Sequence, residues 1–257
     1  MTDWAIPSAD MIALIAVTFF VAGLVKGTLG LGLPTIVLGV LAAPLGLKEA
    51  IGFMLFPSLC ANLWQGLIGG ALLHLLRRFW AFFLLAILGI WGGVLLLAHS
   101  PEHLLLGILG VVLCIYTGLN LAGRKFQPPP PERERWYSPV AGGLGGVMFG
   151  MTGVFIIPAI LYLQALGMKR DVLIQAMGVS FIIITTAIAV FMAEQRILHG
   201  DQVLISFPTL LPMFAGLAIG RHYRQRIPEA KFSRVIMIAL FVNGLHLMAR
   251  AVVQEFF

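Results

Sequence analysis

Carboxylates are scarce in this chain, and they avoid its apolar stretches. Eleven of the 257 residues are Asp or Glu. Asp3, Asp10, Glu49, Glu102, Glu132, Glu134, Asp171, Glu194, Asp201, Glu229 and Glu255 all fall at segment ends or in loops. This leaves a membrane cation site or a carboxylate proton relay little to work with, and it removes the acid pair of an intramembrane hydrolase. Cysteine is rarer still. Cys60 and Cys114 lie inside apolar runs and read as small packing residues, not as a disulfide or a metal site. No His/Cys/carboxylate cluster has a spacing that supports chemistry, so neither an enzyme nor a cofactor is expected. The first ten residues hold two aspartates and no Lys or Arg. They lack the basic start of a cleavable signal, so the first hydrophobic segment is expected to stay in the mature protein.

What the chain has is hydrocarbon. It is 60% apolar and 11% charged, with a mean hydropathy of +0.98; soluble domains carry about a quarter charged residues. Apolar segments run over 11–25, 35–45, 49–73, 80–98, 104–121, 140–149, 159–166, 172–192, 203–220 and 232–249. Six reach the length of about 20 residues needed to cross a bilayer; 11–25, 35–45, 140–149 and 159–166 do not. The net charge of +6 sits beside these segments, as an orientation signal and not a nucleic-acid surface.

The run Gly23-Leu-Val-Lys26-Gly27-Thr28-Leu-Gly30-Leu-Gly32-Leu-Pro34 interrupts the first apolar stretch, and a relative of it recurs later. Gly23, Gly27 and Gly30 align with Gly146, Gly150 and Gly153 at one offset, and Pro34 meets Pro158 within one residue. Further matches follow in order: Leu45-Gly46-Leu47-Lys48 with Leu166-Gly167-Met168-Lys169, Gly93 and His99 with Gly216 and His222, Pro101-Glu102 with Pro228-Glu229. Thr117-Gly118-Leu119-Asn120-Leu121 answers Asn243-Gly244-Leu245-His246-Leu247. The chain therefore reads as repeats over 1–123 and 139–257, joined by a proline-rich linker over 124–138. The expected fold is an all-α polytopic membrane protein. It has two inverted-topology repeats, each a broken re-entrant helical hairpin plus three transmembrane helices.

Charge supports that count. If each hairpin returns to its own face, one face holds Arg77, Arg78, Arg124, Lys125, Arg133, Arg135, Lys169, Arg170, Arg221, Arg224, Arg226, Lys231 and Arg234. The other holds Lys48, Arg196 and Arg250, with Lys26 at depth. Eight plain spans would divide the same residues evenly. The positive-inside rule favours the first arrangement, with the basic face cytoplasmic and both termini outside.

Paired Gly/Pro breaks in corresponding segments point to a transport site. The two hairpin tips are expected to meet near the bilayer midplane. There Gly27, Gly30, Gly32, Gly150 and Gly153 would expose backbone N–H groups to an anion at converging helix N-termini. Lys26 adds charge, and Thr28, Thr35 and Thr152 add hydroxyls. Asn62, Gln65 and Ser180 are further lining candidates, although such glycines and polar residues also serve helix packing. His246 is a candidate for proton coupling.

The blocks GxxKGTLGLGLP (Gly23 to Pro34), LGLKEAIG (Leu45 to Gly52), Asn62-Leu63-Trp64-Gln65 and GGxGGxxFGMTG (Gly142 to Gly153, with Pro158 beyond) resemble the TauE/SafE family of bacterial membrane proteins, the sulfite exporters. The resemblance covers both halves outside the linker. It implies export of sulfite or small organosulfonates such as sulfoacetate across the inner membrane, and it transfers no catalytic residue. Lys26 has Phe149 as its repeat mate, so an anion would be held asymmetrically. The expected partners are a small anionic substrate and the lipid bilayer, not nucleic acid, with a homodimer left open. A passive anion channel and a non-transporting subunit that recruits a partner through its basic loops are the alternatives.

Overall fold

The computed structural model describes residues 8–124, 127–198, 204–223 and 229–256. Asp3, Lys125, Asp201, Arg224, Arg226 and Pro228 of the sequence reading lie outside the described residues, as do the side chains of Trp64, Glu229, Lys231 and Glu255. Among the described residues every regular element is helical.

Helix α1, Ala9–Leu29, starts at Ser8, whose hydroxyl accepts the Met11 N–H. It ends where Gly30 takes φ +81° and returns its N–H to the Lys26 carbonyl, a turn only glycine enters without steric cost. After Gly32, at φ +104°, helix α2, Leu33–Leu45, begins with Pro34 in its first turn. There the missing N–H has no carbonyl to lose. Helices α3 (Leu47–Leu67), α4 (Leu72–Arg78), α5 (Trp80–His99) and α6 (Glu102–Leu121) complete the first half. Helix α7, Glu134–Thr152, begins inside the span read as linker and stops at Gly153, φ +71°. The chain returns through an irregular turn, Ile156–Ile160, in which Ile157 is extended, and a short α8, Leu161–Ala165. Then come α9 (Arg170–Glu194), α10 (Leu210–Tyr223) and α11 (Glu229–Phe256).

Among the described residues seven helices are long and apolar enough to cross a membrane, not six, with Leu204–Tyr223, which includes α10, as one of them. The addition is α1. The sequence reading broke it at Val25, but Lys26, Gly27 and Thr28 continue the helix. Glycine costs a helix interior only about 1 kcal/mol, and here packing repays it.

The principal helix pairs are α1 with α10, α5 with α7, α6 with α11 and α3 with α9. The first two are glycine seams. Gly23 and Gly27 lie on the Met213 and Leu217 carbonyls, while Gly216 and Gly220 lie on those of Phe20 and Leu24. Likewise Gly146 and Gly150 lie on Ala86 and Ile90, and Gly89 and Gly93 on Gly143 and Val147. A Cβ at any of these positions would enter a carbonyl oxygen, so only glycine permits the approach.

Two ends can be distinguished. At the basic end, the Arg78 Nε donates to the Glu134 Oε1 at 2.8 Å, tying the end of α4 to the start of α7. There too the Ala71 N–H donates to the Gln175 Oε1 at 3.0 Å, joining α4 to α9. At the opposite end, the Lys48 Nζ donates to the Ala98 carbonyl at 3.3 Å and the Arg250 Nη1 to the Ala43 carbonyl at 2.7 Å. Each caps a helix C-terminus, where a cation is favoured.

Candidate functional site

Lys26 lies one turn before the end of α1, only 5% exposed. Its Nζ donates to the Asn62 Oδ1 at 2.6 Å. The Asn62 Nδ2 donates in turn to the Ser58 carbonyl at 2.7 Å and to the Ser58 Oγ at 3.2 Å, one turn back on α3. Spending the amide N–H groups on Ser58 leaves the amide oxygen facing the ammonium. The Phe181 ring of α9 lies 5.8 Å from Nζ, within the range of a cation–π contact. Among the described residues no carboxylate pairs with Lys26. An ammonium carries three N–H donors, and burying it in a membrane segment costs about 2.5–3.5 kcal/mol on insertion scales.

A cavity of about 50 Å³ opens beside the lysine, lined by Lys26, Gly27, Gly30, Gln65, Ile174 and Arg221 among others. The Gln65 Nε2 crosses its edge, donating to the Gly30 carbonyl at 3.2 Å and to the Ile174 carbonyl at 2.9 Å. By sequence Arg221 belongs only to the basic face. The signal that brings it here is the glycine pair Gly216/Gly220, which seats α10 on Gly23/Gly27 and delivers the next residue to the cavity.

The other sequence candidates divide. Thr28 donates its hydroxyl to the Leu24 and Val25 carbonyls of its own helix. Ser180 does the same to Ala176 and Thr152 to Met148. Thr35 is buried in the first turn of α2, just beyond Gly32. Gly150, one turn before the second break, is a seam residue of α7 packed against α5. The expected meeting of the tips does not occur. The first break is held by Gln65, near the end of α3; a Cβ on Gly153 of the second would instead touch Leu38 and Ile51. Gln65 and Ile51 stand about four turns apart on α3, roughly 20 Å. Aromatic rings fill the space between: Phe181 lies 6.3 Å from Phe155, and Phe155 lies 5.8 Å from Phe149. The reason is register. Each break packs against its own stretch of the central α3–α9 pair, which sequence spacing does not report.

The sequence model of one family, described as sulfite exporter TauE/SafE, matches residues 15–247. No curated protein and no solved structure matches the chain.

Proposed function

Because the chain belongs to the TauE/SafE sulfite exporter family, a family of membrane transporters, we propose that it is a secondary transporter exporting a small anion, such as sulfite or an organosulfonate, across the bacterial inner membrane. The observation that carries this reading is Lys26: a buried ammonium whose one hydrogen-bonded partner is neutral, beside a small cavity also lined by Arg221. An anion there would accept the remaining lysine donors and meet no carboxylate among the described residues of the cavity lining. Gly30 and Gly32 keep the first break free of side chains, and Thr35 lies in the first turn of the helix that follows.

Alternating access between inverted halves, 1–123 and 139–257, is the mechanism we infer. The helix pairs support it. α1 packs on α10 as its counterpart α7 packs on α5, and the paired residues correspond: Gly23–Met213 with Gly146–Ala86, Gly27–Leu217 with Gly150–Ile90. In that register Gly93 answers Gly220, one turn beyond the Gly216 match. A two-fold relation generates such an exchange of partners. The basic end is cytoplasmic in this reading and the termini periplasmic. The Lys26 cavity then faces the cytoplasm, and Phe149, Phe155 and Phe181 block the route to the far end. Transport would rock the glycine seams until that block parts and the lysine loses its cytoplasmic opening.

Proteoliposomes containing this chain alone, loaded with radiolabelled sulfite or sulfoacetate, test the proposal. Saturable, gradient-coupled flux that Lys26→Met abolishes is the expected result. Ohmic current would indicate a channel instead, and no flux would refute transport.

A further inference from the structure

We propose that two copies of this chain pair in the membrane through the outward face of α11, with His246 of each copy hydrogen-bonded to the other. This does not rest on the transport reading. Of the α11 span Ser233–Gln254, 22% is buried, the smallest share among the seven spans. Its outward face carries Val235, Ala239, Val242, His246, Ala249 and Val253, all exposed. They recur at alternating steps of four and three residues, the spacing that keeps one side of a helix turned toward a partner helix.

Depth makes His246 the informative member. On the inner side of α11, Gly244 and Met248 lie against Gly110, near the middle of the 20-residue α6. His246 falls between those contacts in sequence, so it sits near mid-bilayer while facing outward. It has no hydrogen-bond partner among the described residues. Ionisable side chains within spans almost always face a bundle interior or an aqueous cavity, and they pair with one another. In a single chain His246 does neither, because the lysine cavity is walled by α1, α3, α9 and α10.

These groups specify the occupant. Two copies inserted the same way are related by a two-fold axis along the membrane normal. That axis sets the two α11 helices parallel and brings each outward residue opposite its own counterpart. A neutral imidazole is then its own complement, one ring donating and the other accepting. Ala239 and Ala249 on either side let the backbones approach, and the stiff valines pack with little rotamer freedom to lose. Outward faces elsewhere differ: α5 shows Leu84, Leu88 and Trp91, and α10 shows Leu211 and Phe214. A lipid chain returns no hydrogen bond to the histidine.

The experiment uses single cysteines in a Cys60→Ala, Cys114→Ala background, oxidised in native membranes. Val242→Cys and Ala249→Cys should give a disulfide-linked dimer of twice the chain mass, and Leu211→Cys should not. Subunit counting by single-molecule photobleaching in liposomes, over a range of protein-to-lipid ratios, reads the dissociation constant. His246→Leu should raise it roughly three- to tenfold, the order expected for one interhelical hydrogen bond. His246→Asn, which keeps a donor and an acceptor, should recover most of that loss. Ala249→Trp should leave a monomer that unfolds in detergent at the wild-type temperature. A wild type that stays monomeric at every ratio overturns the proposal and leaves lipid on this face. Equal constants for wild type and His246→Leu overturn the histidine pair. Cross-linking through Leu211→Cys and not Ala249→Cys, or a cross-linked band at another mass, overturns it in favour of a different contact or partner.

Discussion

The Lys26 ammonium and the Asn62 amide oxygen are 2.6 Å apart, and the Asn62 amide nitrogen is anchored on Ser58. The asparagine therefore orients the lysine without neutralising it. Asn62→Asp replaces that neutral acceptor with a carboxylate at the same distance. The resulting internal ion pair should compete with any bound anion and cut sulfite flux about tenfold or more. Thermal unfolding in detergent should show the folded state retained. Flux equal to wild type would mean that the lysine charge is not used on the solute.

Gln65→Leu keeps the approximate size of the side chain and removes both bonds to Gly30 and Ile174. The edge of the lysine cavity that these bonds pin should then open more often. Ala61→Cys, on the lining of that cavity, should react faster with an impermeant thiol reagent, by about fivefold for a loss near 1 kcal/mol. An unchanged labelling rate would show that packing alone holds the first break.

The seams predict a sharp contrast among glycines. Gly216→Leu or Gly146→Leu drives a side chain into the facing helix backbone and should cost more than about 3 kcal/mol, read as lost expression of monodisperse protein. Gly92 and Gly118 have nothing within 4 Å of an added Cβ. Their alanine variants should be neutral or gain up to about 1 kcal/mol.

The Arg78–Glu134 pair is partly exposed, with side-chain exposures of 34% and 26%. The Glu134 carboxylate, by hydrogen bonding, raises the Arg78 pKa above its ordinary value. Solvent screening limits its worth, so a double-mutant cycle should return a coupling below about 1 kcal/mol, smaller in high salt.

Orientation is checked by single cysteines at the two ends. In intact cells an impermeant reagent should label His99→Cys at the end of α5 and spare Arg124→Cys until the membrane is opened. The reverse pattern would invert the cytoplasmic assignment of the basic end.

Much of this was legible in the sequence because its signals are local. Gly30 and Gly153 end helices and Gly32 precedes one through their own backbone angles, and Lys26 stands out as a charge within an apolar run. Asn62 is visible as a polar residue on the next long helix. Tertiary register was not legible. Gly27 and Gly150 look like tip residues in sequence, yet their places are set by carbonyls on α10 and α5, far along the chain. The separation of the breaks along α3 and the arrival of Arg221 depend on the same packing. Lys48 and Arg250, exceptions on the sparsely charged face, become intelligible once each is seen to cap a helix end.

Each glycine seam draws one helix from before the proline run and one from after it. Severing the chain there would leave two fragments, each with an unfilled groove shaped for a helix of the other. Co-expressed, such fragments should find one another and reassemble; alone, neither has the partner its backbone was cut to fit. The prolines are thus a tether between interdependent pieces, not a border between self-sufficient ones.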